Sequence, residues 1–88
     1  MLSRDDAFAL AEAYVREQLQ PALPEELVIS SFEEHPRCWI AIYNTRKYIE
    51  TGRSRFALAG NGPLFIDRET GAIRRGVSGR PVEDQLDE

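Results

Sequence analysis

The sequence predicts an α+β domain in which an N-terminal amphipathic helix packs on a curved antiparallel sheet of about four strands, followed by a short C-terminal helix. Three observations predict this class. Apolar residues recur at helical spacing near the N-terminus, four β-rich segments follow, and glycine-containing turns flank the later strands. With 88 residues, the chain suffices for a single domain, residues 1–88, with one small core.

The first helix has a start signal, a buried stripe and a stop signal. Ser3 is a preferred N-cap residue, and acidic residues follow it in the first turn. Pro21 lacks the amide that another helical turn needs, so the helix ends near it. Four apolar residues recur at intervals of three or four and predict the buried stripe: Phe8, Ala11, Val15 and Leu19.

The predicted strands cover residues 27–32, 38–45, 64–66 and 72–75. Residues 33–36 are expected to form the turn between the first two strands, and residues 48–52 to extend or close the second. Gly71 would supply the left-handed position of the last hairpin. Pro81 suits the first position of the short closing helix.

Charge is segregated along the chain. Residues 1–34 hold eight acids and two bases, a net charge of −6, and residues 35–80 hold three acids and nine bases, a net charge of +6. Residues 81–88 add four acids. This pattern is more informative than the total of −4, because it predicts either paired blocks within the fold or charged faces offered to a partner.

The sequence shows no arrangement of residues typical of catalysis, metal binding or a cofactor, and nothing singles out a catalytic pair among its 15 acids. His35 and Cys38 are its single histidine and cysteine, and in an extended segment they point to opposite faces, which is poor geometry for a nucleophilic pair. Zinc prefers four nitrogen or sulfur ligands, whereas the chain offers two. We therefore predict a protein that is not an enzyme and has no catalytic residue, no metal site and no cofactor.

Neither a membrane nor a secreted location is predicted. The longest apolar run, residues 39–43, is far shorter than a membrane span. The first residues lack the basic start and long apolar run of a signal peptide, and one cysteine suits a reducing compartment. These features predict a cytoplasmic protein.

Large apolar side chains occupy both faces of the second strand. Cys38, Ile40 and Ile42 point one way, whereas Trp39 and Tyr43 point the other, with Ala41 between them. Because one helix covers one face, either set could lie on the open side. Trp39 and Tyr43 on an open face would form a binding hot spot. Otherwise Trp39 packs beneath the connector, residues 46–59, or beneath the C-terminal helix.

The basic middle of the chain allows a nucleic-acid hypothesis. Two basic clusters, with Tyr48 and Phe56 nearby, could line a groove for a single strand. They are Arg46, Lys47, Arg53 and Arg55, and then Arg68, Arg74, Arg75 and Arg80. The acidic segments on both sides would repel phosphate, so we expect no nucleic-acid partner. Pairing with a second copy through a strand edge remains open.

Two motifs carry a resemblance to a known family. Residues 58–73 contain Gly60-Asn61-Gly62-Pro63, followed by Asp67-Arg68-Glu69-Thr70-Gly71, and a tryptophan strand with Thr51-Gly52 precedes them. This arrangement resembles the bacterial immunity protein 35 family, which includes the YrhB-like small proteins. Arg53 is a departure, since such sequences often carry an acid there. We interpret Gly60, Asn61, Gly62, Pro63, Asp67 and Gly71 as residues that determine the fold.

The resemblance implies a cytoplasmic antidote that binds a toxin encoded nearby and blocks its active site, without catalysis of its own. The acidic residues Glu25, Glu26, Glu33 and Glu34 would suit a toxin that acts on nucleic acids through a basic cleft. Trp39 and Tyr43 would instead suit a toxin that is a protease or a protein-modifying enzyme. The alternative is a small holdase of the YrhB-like type, which would act on unrelated clients.

Overall fold

The helices and strands follow in the order helix, two strands, helix, two strands. In the computed structural model, which describes residues 1–58 and 60–86, these are α1 (Arg4–Tyr14), β1 (Leu27–Glu34), β2 (Cys38–Thr45), α2 (Arg46–Thr51), β3 (Leu64–Asp67) and β4 (Ile73–Arg75). The four strands form one antiparallel sheet in the order β1-β2-β3-β4. The predicted α+β class is confirmed.

α1 begins as predicted. The Ser3 hydroxyl accepts a hydrogen bond from the Asp6 amide at 3.1 Å, which satisfies one of the free donors at the helix start. After Tyr14 the chain continues through a π-helical turn, Val15–Leu19, and a 3-10 turn, Gln20–Ala22. The Gln20 side chain then ties this end to the sheet, because its amide oxygen accepts from the Leu27 amide at 2.8 Å.

The main core lies between α1 and one face of the sheet. Small residues on the helix, Ala7 and Ala11, are fully buried and allow close approach to the strands. The buried residues of this cluster from the sheet are Leu27, Trp39, Ala41, Tyr43, Leu64 and Ile66. A second cluster, made of Cys38, Ile40 and Phe65, lies on the other face.

The C-terminal segment covers part of that second face. Its closing helix is a 3-10 helix, Val82–Gln85, and Val82 and Leu86 pack against the second cluster. The Gln85 side chain is buried and bonds with both the amide and the carbonyl of Val77, at 2.8 and 3.0 Å. These hydrogen bonds tie the closing helix to the backbone just after β4.

The predicted turn at residues 33–36 is wrong in its position. Glu33 and Glu34 pair with Ile40 and Trp39, so β1 runs two residues further than the sequence suggests. The reversal covers residues 35–37, and the His35 amide donates to the Cys38 carbonyl at 2.9 Å. β1 is an edge strand, where glutamates remain solvated while the backbone pairs on one side.

The prediction that residues 48–52 extend or close the second strand is also wrong, because residues 48–51 belong to α2 and Gly52 caps that helix. The Thr45 hydroxyl ends the strand by accepting from the Tyr48 amide at 3.0 Å, and it donates to the Phe56 carbonyl at 2.7 Å. Gly52 ends the helix in the left-handed conformation, with a φ of 69°. Threonine before a helix and glycine after it are ordinary boundary signals, and here they outweigh the β propensity of Tyr48 and Ile49.

Among the described residues, no helix combines the length and the apolar character that crossing a bilayer requires.

Candidate partner-binding surface

Trp39 belongs to the core, which rules out the alternative in which it lies on an open face. Its side chain is 5% exposed and stacks on the Phe32 ring, with centroids 5.3 Å apart and an angle of 4°. Phe8 of α1 meets the same Phe32 edge-on at 5.2 Å. The core cluster that contains Trp39 includes residues of α1, and Leu58 of the connector also packs against this cluster.

The Trp39 environment has an unusual polar feature. Its indole Nε1 is buried and forms no hydrogen bond with the described residues, and the same holds for Nε of Arg68. The Arg68 guanidinium lies over the indole at 5.3 Å, donates to the His35 carbonyl at 2.8 Å and approaches Glu34 at 2.9 Å. Arg68 thus connects the β3–β4 turn to the β1–β2 turn.

Tyr43 is 8% exposed and lies on the same face of the sheet as α1, but it also lines a groove at the surface. Burial raises the pKa of its hydroxyl, and the nearby Arg75 partly offsets this effect. The ring contributes to a shallow groove of about 290 Å³. We call this the Tyr43 groove, and the residues that line it are Gln18, Leu19, Ala22, Leu23, Tyr43, Leu58, Gly60, Asn61 and Arg75.

Hydrogen bonds to β2 fix one wall of the Tyr43 groove. The Asn61 side chain donates to the Tyr43 carbonyl at 2.7 Å, and the Asn44 side chain accepts from the Leu58 amide at 3.0 Å. Gly60 is in the left-handed conformation, with a φ of 78°. The Gly-Asn motif therefore lies directly beside Tyr43, which the sequence alone does not reveal.

Gly62 of the same motif lies against the backbone that follows β4. A Cβ atom at Gly62 would be 2.2 Å from the Gly76 carbonyl oxygen, closer than any real side chain approaches. The Gly76 amide donates to the Pro63 carbonyl at 2.7 Å. Gly62 and Pro63 are thus in backbone contact with residue 76, and this contact shapes the loop before β3.

The four glutamates predicted to bind a partner do not form one patch. Glu25 and Glu26 precede β1 and Glu33 and Glu34 end it, so the two pairs are about 23 Å apart at the usual rise of a strand. Each has a nearby cation or histidine within the fold: Glu25 with Lys47 at 3.6 Å, Glu26 with Arg46 at 2.9 Å, Glu33 with His35 at 3.9 Å and Glu34 with Arg68 at 2.9 Å.

These pairs connect the acidic and basic blocks of the sequence. The Arg46 guanidinium holds the pKa of the Glu26 carboxyl below its usual value through a hydrogen bond and through its charge. Both partners of the Glu26–Arg46 and Glu25–Lys47 pairs are largely exposed, so these two pairs add little to the stability of the fold. Some charges of the acidic block therefore pair with charges of the basic block within the fold.

The basic connector is likewise occupied by local contacts. Lys47 and Arg55 both lie over the Phe56 ring, at 5.4 and 4.7 Å from its centroid. Both cations therefore lie over the ring, where a nucleobase would otherwise have to stack.

The Cys38 thiol is buried on the second face of the sheet. Burial raises its pKa, so the thiol stays protonated near neutral pH and is a poor nucleophile. Among the described residues, no group of three or more histidine, cysteine, aspartate or glutamate side chains could hold a metal ion.

With this geometry, comparison with known proteins identifies the family. The family described as "Immunity protein 35" matches residues 5–87. This chain belongs to that family. It is also 31% identical over 86 residues to the uncharacterized protein YrhB of Escherichia coli (strain K12), covering 98% of this chain and 86% of that protein. No solved structure matches significantly. The resemblance found in the two motifs is thereby confirmed, and the family name indicates an immunity protein.

From the sequence, Tyr43 is predicted as a partner contact and Gly60 and Asn61 as residues that determine the fold, but nothing in the sequence brings them together with the rest of the groove. Leu19 was expected in the buried stripe, whereas it is half-buried at the rim. Leu23, between two prolines, gives no periodic signal, and Arg75, at the end of the last strand, stands out only as a member of a basic cluster. Their proximity to Tyr43 arises from the tertiary fold.

Proposed function

We propose that this protein is an immunity protein that binds a cognate toxin encoded beside it and blocks the toxin's active site. The observation that carries the proposal is membership of the Immunity protein 35 family over residues 5–87. The protein acts in the cytoplasm without catalysis of its own, and its inhibition is stoichiometric.

The size of the molecule supports inhibition by occlusion. A standard protein interface buries about 800 Å² on each partner. The described surface of this protein measures 5632 Å², so one such interface would use about a seventh of it. A small rigid sheet with a helix on one face is thus large enough to cover an active-site cleft.

Co-expression in a bacterial host tests this function. The gene of the neighbouring toxin domain is induced with and without this protein, and an affinity tag on the toxin reports a complex. We expect growth arrest by the toxin alone, normal growth when both are present, and this protein in the eluate. Continued arrest together with no co-purification would contradict the proposal.

A second assay separates the holdase alternative. Heat-aggregated citrate synthase serves as an unrelated client, and light scattering is measured with equimolar amounts of this protein. An immunity protein leaves the aggregation unchanged. Suppression of aggregation, without protection from the toxin, would favour the holdase instead.

A further inference from the structure

We propose that the Tyr43 groove receives a large apolar side chain of the toxin, and that Arg75 binds a carboxylate close to that side chain. This inference rests on the proposed function and identifies the surface that performs it. The occupant is thus a toxin segment that combines an apolar anchor with an acidic neighbour.

The walls of the groove favour an apolar anchor. Leu19, Leu23 and Leu58 are half-buried and pack against the main core, so each presents part of its surface to the groove. Tyr43 adds an aromatic wall. The volume of about 290 Å³ is at the lower limit of small-molecule sites, which fits one large side chain better than a cofactor.

Arg75 specifies the charge of the occupant. It is the one charged residue among the described residues that line the groove, and it forms no salt bridge with any of them. Its Nε donates to the Tyr14 hydroxyl and its guanidinium lies over the Tyr14 ring at 5.4 Å. These contacts position the guanidinium, whose remaining donors match the two oxygens of a carboxylate.

The groove is formed before any partner arrives. Two hydrogen bonds hold the wall that contains Leu58. The Asn61 side chain donates to the Tyr43 carbonyl at 2.7 Å, and the Asn44 side chain accepts from the Leu58 amide at 3.0 Å. The opposite wall continues from α1 and is tied to the sheet by Gln20. Because these hydrogen bonds hold both walls without a partner, we expect little conformational entropy to be lost on binding.

Other charged surfaces fit a partner less well. The glutamates at both ends of β1 have cationic or histidine neighbours within the fold, so a basic partner would have to compete with those neighbours. The second apolar cluster is covered by the C-terminal segment. The Tyr43 groove combines apolar walls with an unpaired charge among the described residues, and this combination is typical of an interface anchor.

Filling the groove tests the apolar part. Ala22 is exposed and lines the groove, so Ala22→Trp fills it without removing a core contact. Ala9→Trp adds the same ring on the exposed side of α1 and is the matched control. Against an inactivated toxin domain, we expect the Kd to rise at least about 30-fold for Ala22→Trp and to stay within about twofold for Ala9→Trp.

Charge reversal tests the proposed contact between Arg75 and a carboxylate of the toxin. Arg75→Glu should raise the Kd by about tenfold or more, whereas Arg53→Glu, the same change at an exposed connector residue, should leave it within about twofold. Circular dichroism and thermal melting verify that all four variants fold. Equal effects within either pair, or a larger effect of the control, would overturn the inference.

The two proposals fail in distinguishable ways. If the wild-type protein does not bind the toxin domain, the proposed function is wrong and the inference falls with it. If the wild-type protein binds and protects but the groove variants behave like their controls, the immunity function stands and the toxin contacts another surface.

Discussion

The carboxylate of Asp67 stabilises the turn between β3 and β4 through two backbone amides. One of its oxygens accepts from the amides of Glu69 and Thr70, at 2.8 and 2.9 Å. These hydrogen bonds hold the pKa of the Asp67 carboxyl below its ordinary value of 3.8. A single side chain of the family motif thus determines the shape of this turn.

This arrangement predicts an acid dependence of stability. Because the pKa in the folded state lies below that of the unfolded state, Asp67 stabilises the fold above about pH 3.8. That contribution is lost as the pH falls through the folded-state pKa. We expect the difference in unfolding free energy between the wild type and Asp67→Asn to be largest near pH 7 and to shrink below pH 4, as measured by urea denaturation.

Asp67→Asn keeps the size of the side chain and one oxygen acceptor, so it removes mainly the negative charge. Glu69→Gln, at an exposed carboxylate of the same turn, should follow the wild-type pH dependence. A difference between wild type and Asp67→Asn that stays constant down to pH 3 would contradict this account.

Trp39 illustrates what a single residue's sequence context can and cannot predict. The alternation of β2 correctly separates Trp39 and Tyr43 from Cys38, Ile40 and Ile42. Both sets are apolar, however, so alternation does not say which face the helix covers. That choice depends on the shape of α1, whose small residues Ala7 and Ala11 allow close approach to the larger side chains of the sheet.

At the scale of elements, the loop before β3 depends on close backbone contact. Gly62→Ala places a Cβ atom against the Gly76 carbonyl oxygen, which is backbone and cannot rotate away. We expect a loss of about 1–3 kcal/mol in the free energy of unfolding, because an overpacked site must shift its surroundings. Urea denaturation measures the loss.

Gly79→Ala is the matched control for this prediction. A Cβ atom at Gly79 meets nothing within 4 Å, and its φ is not in the left-handed region. Its stability should equal that of the wild type or exceed it by less than about 1 kcal/mol, since alanine reduces the entropy of the unfolded chain. Equal stability of the two variants would show that the contact at Gly62 is relaxed at no cost.

Elements with strong local signals were predictable. Ser3 and the apolar stripe predict α1, and alternation with glycine turns predicts the strands. α2 was not, because Tyr48 and Ile49 favour a strand, whereas Thr45 and Gly52 define a short helix through hydrogen bonding and a left-handed φ. In a helix of only six residues, the two residues at its boundaries decide whether it forms. Helix propensities averaged over so short a segment are too weak to predict it.

For the whole molecule, the structure gives the charge blocks of the sequence a physical role. Glutamates of the acidic N-terminal block meet bases of the middle block at Glu26–Arg46, Glu25–Lys47 and Glu34–Arg68. The sequence predicted segregation, but it could not say which charges cancel. Arg75 at the Tyr43 groove has no such acidic neighbour among the described residues, and this difference directs attention to it as a contact for a partner.

A titration of toxin activity tests the central claim most directly. The purified toxin domain is assayed at a fixed concentration well above the expected Kd while this protein is added in steps. Stoichiometric occlusion predicts that toxin activity falls linearly and reaches zero near one equivalent, with a complex whose mass equals one copy of each chain. Toxin activity that is unchanged at a large excess of folded protein would contradict the account.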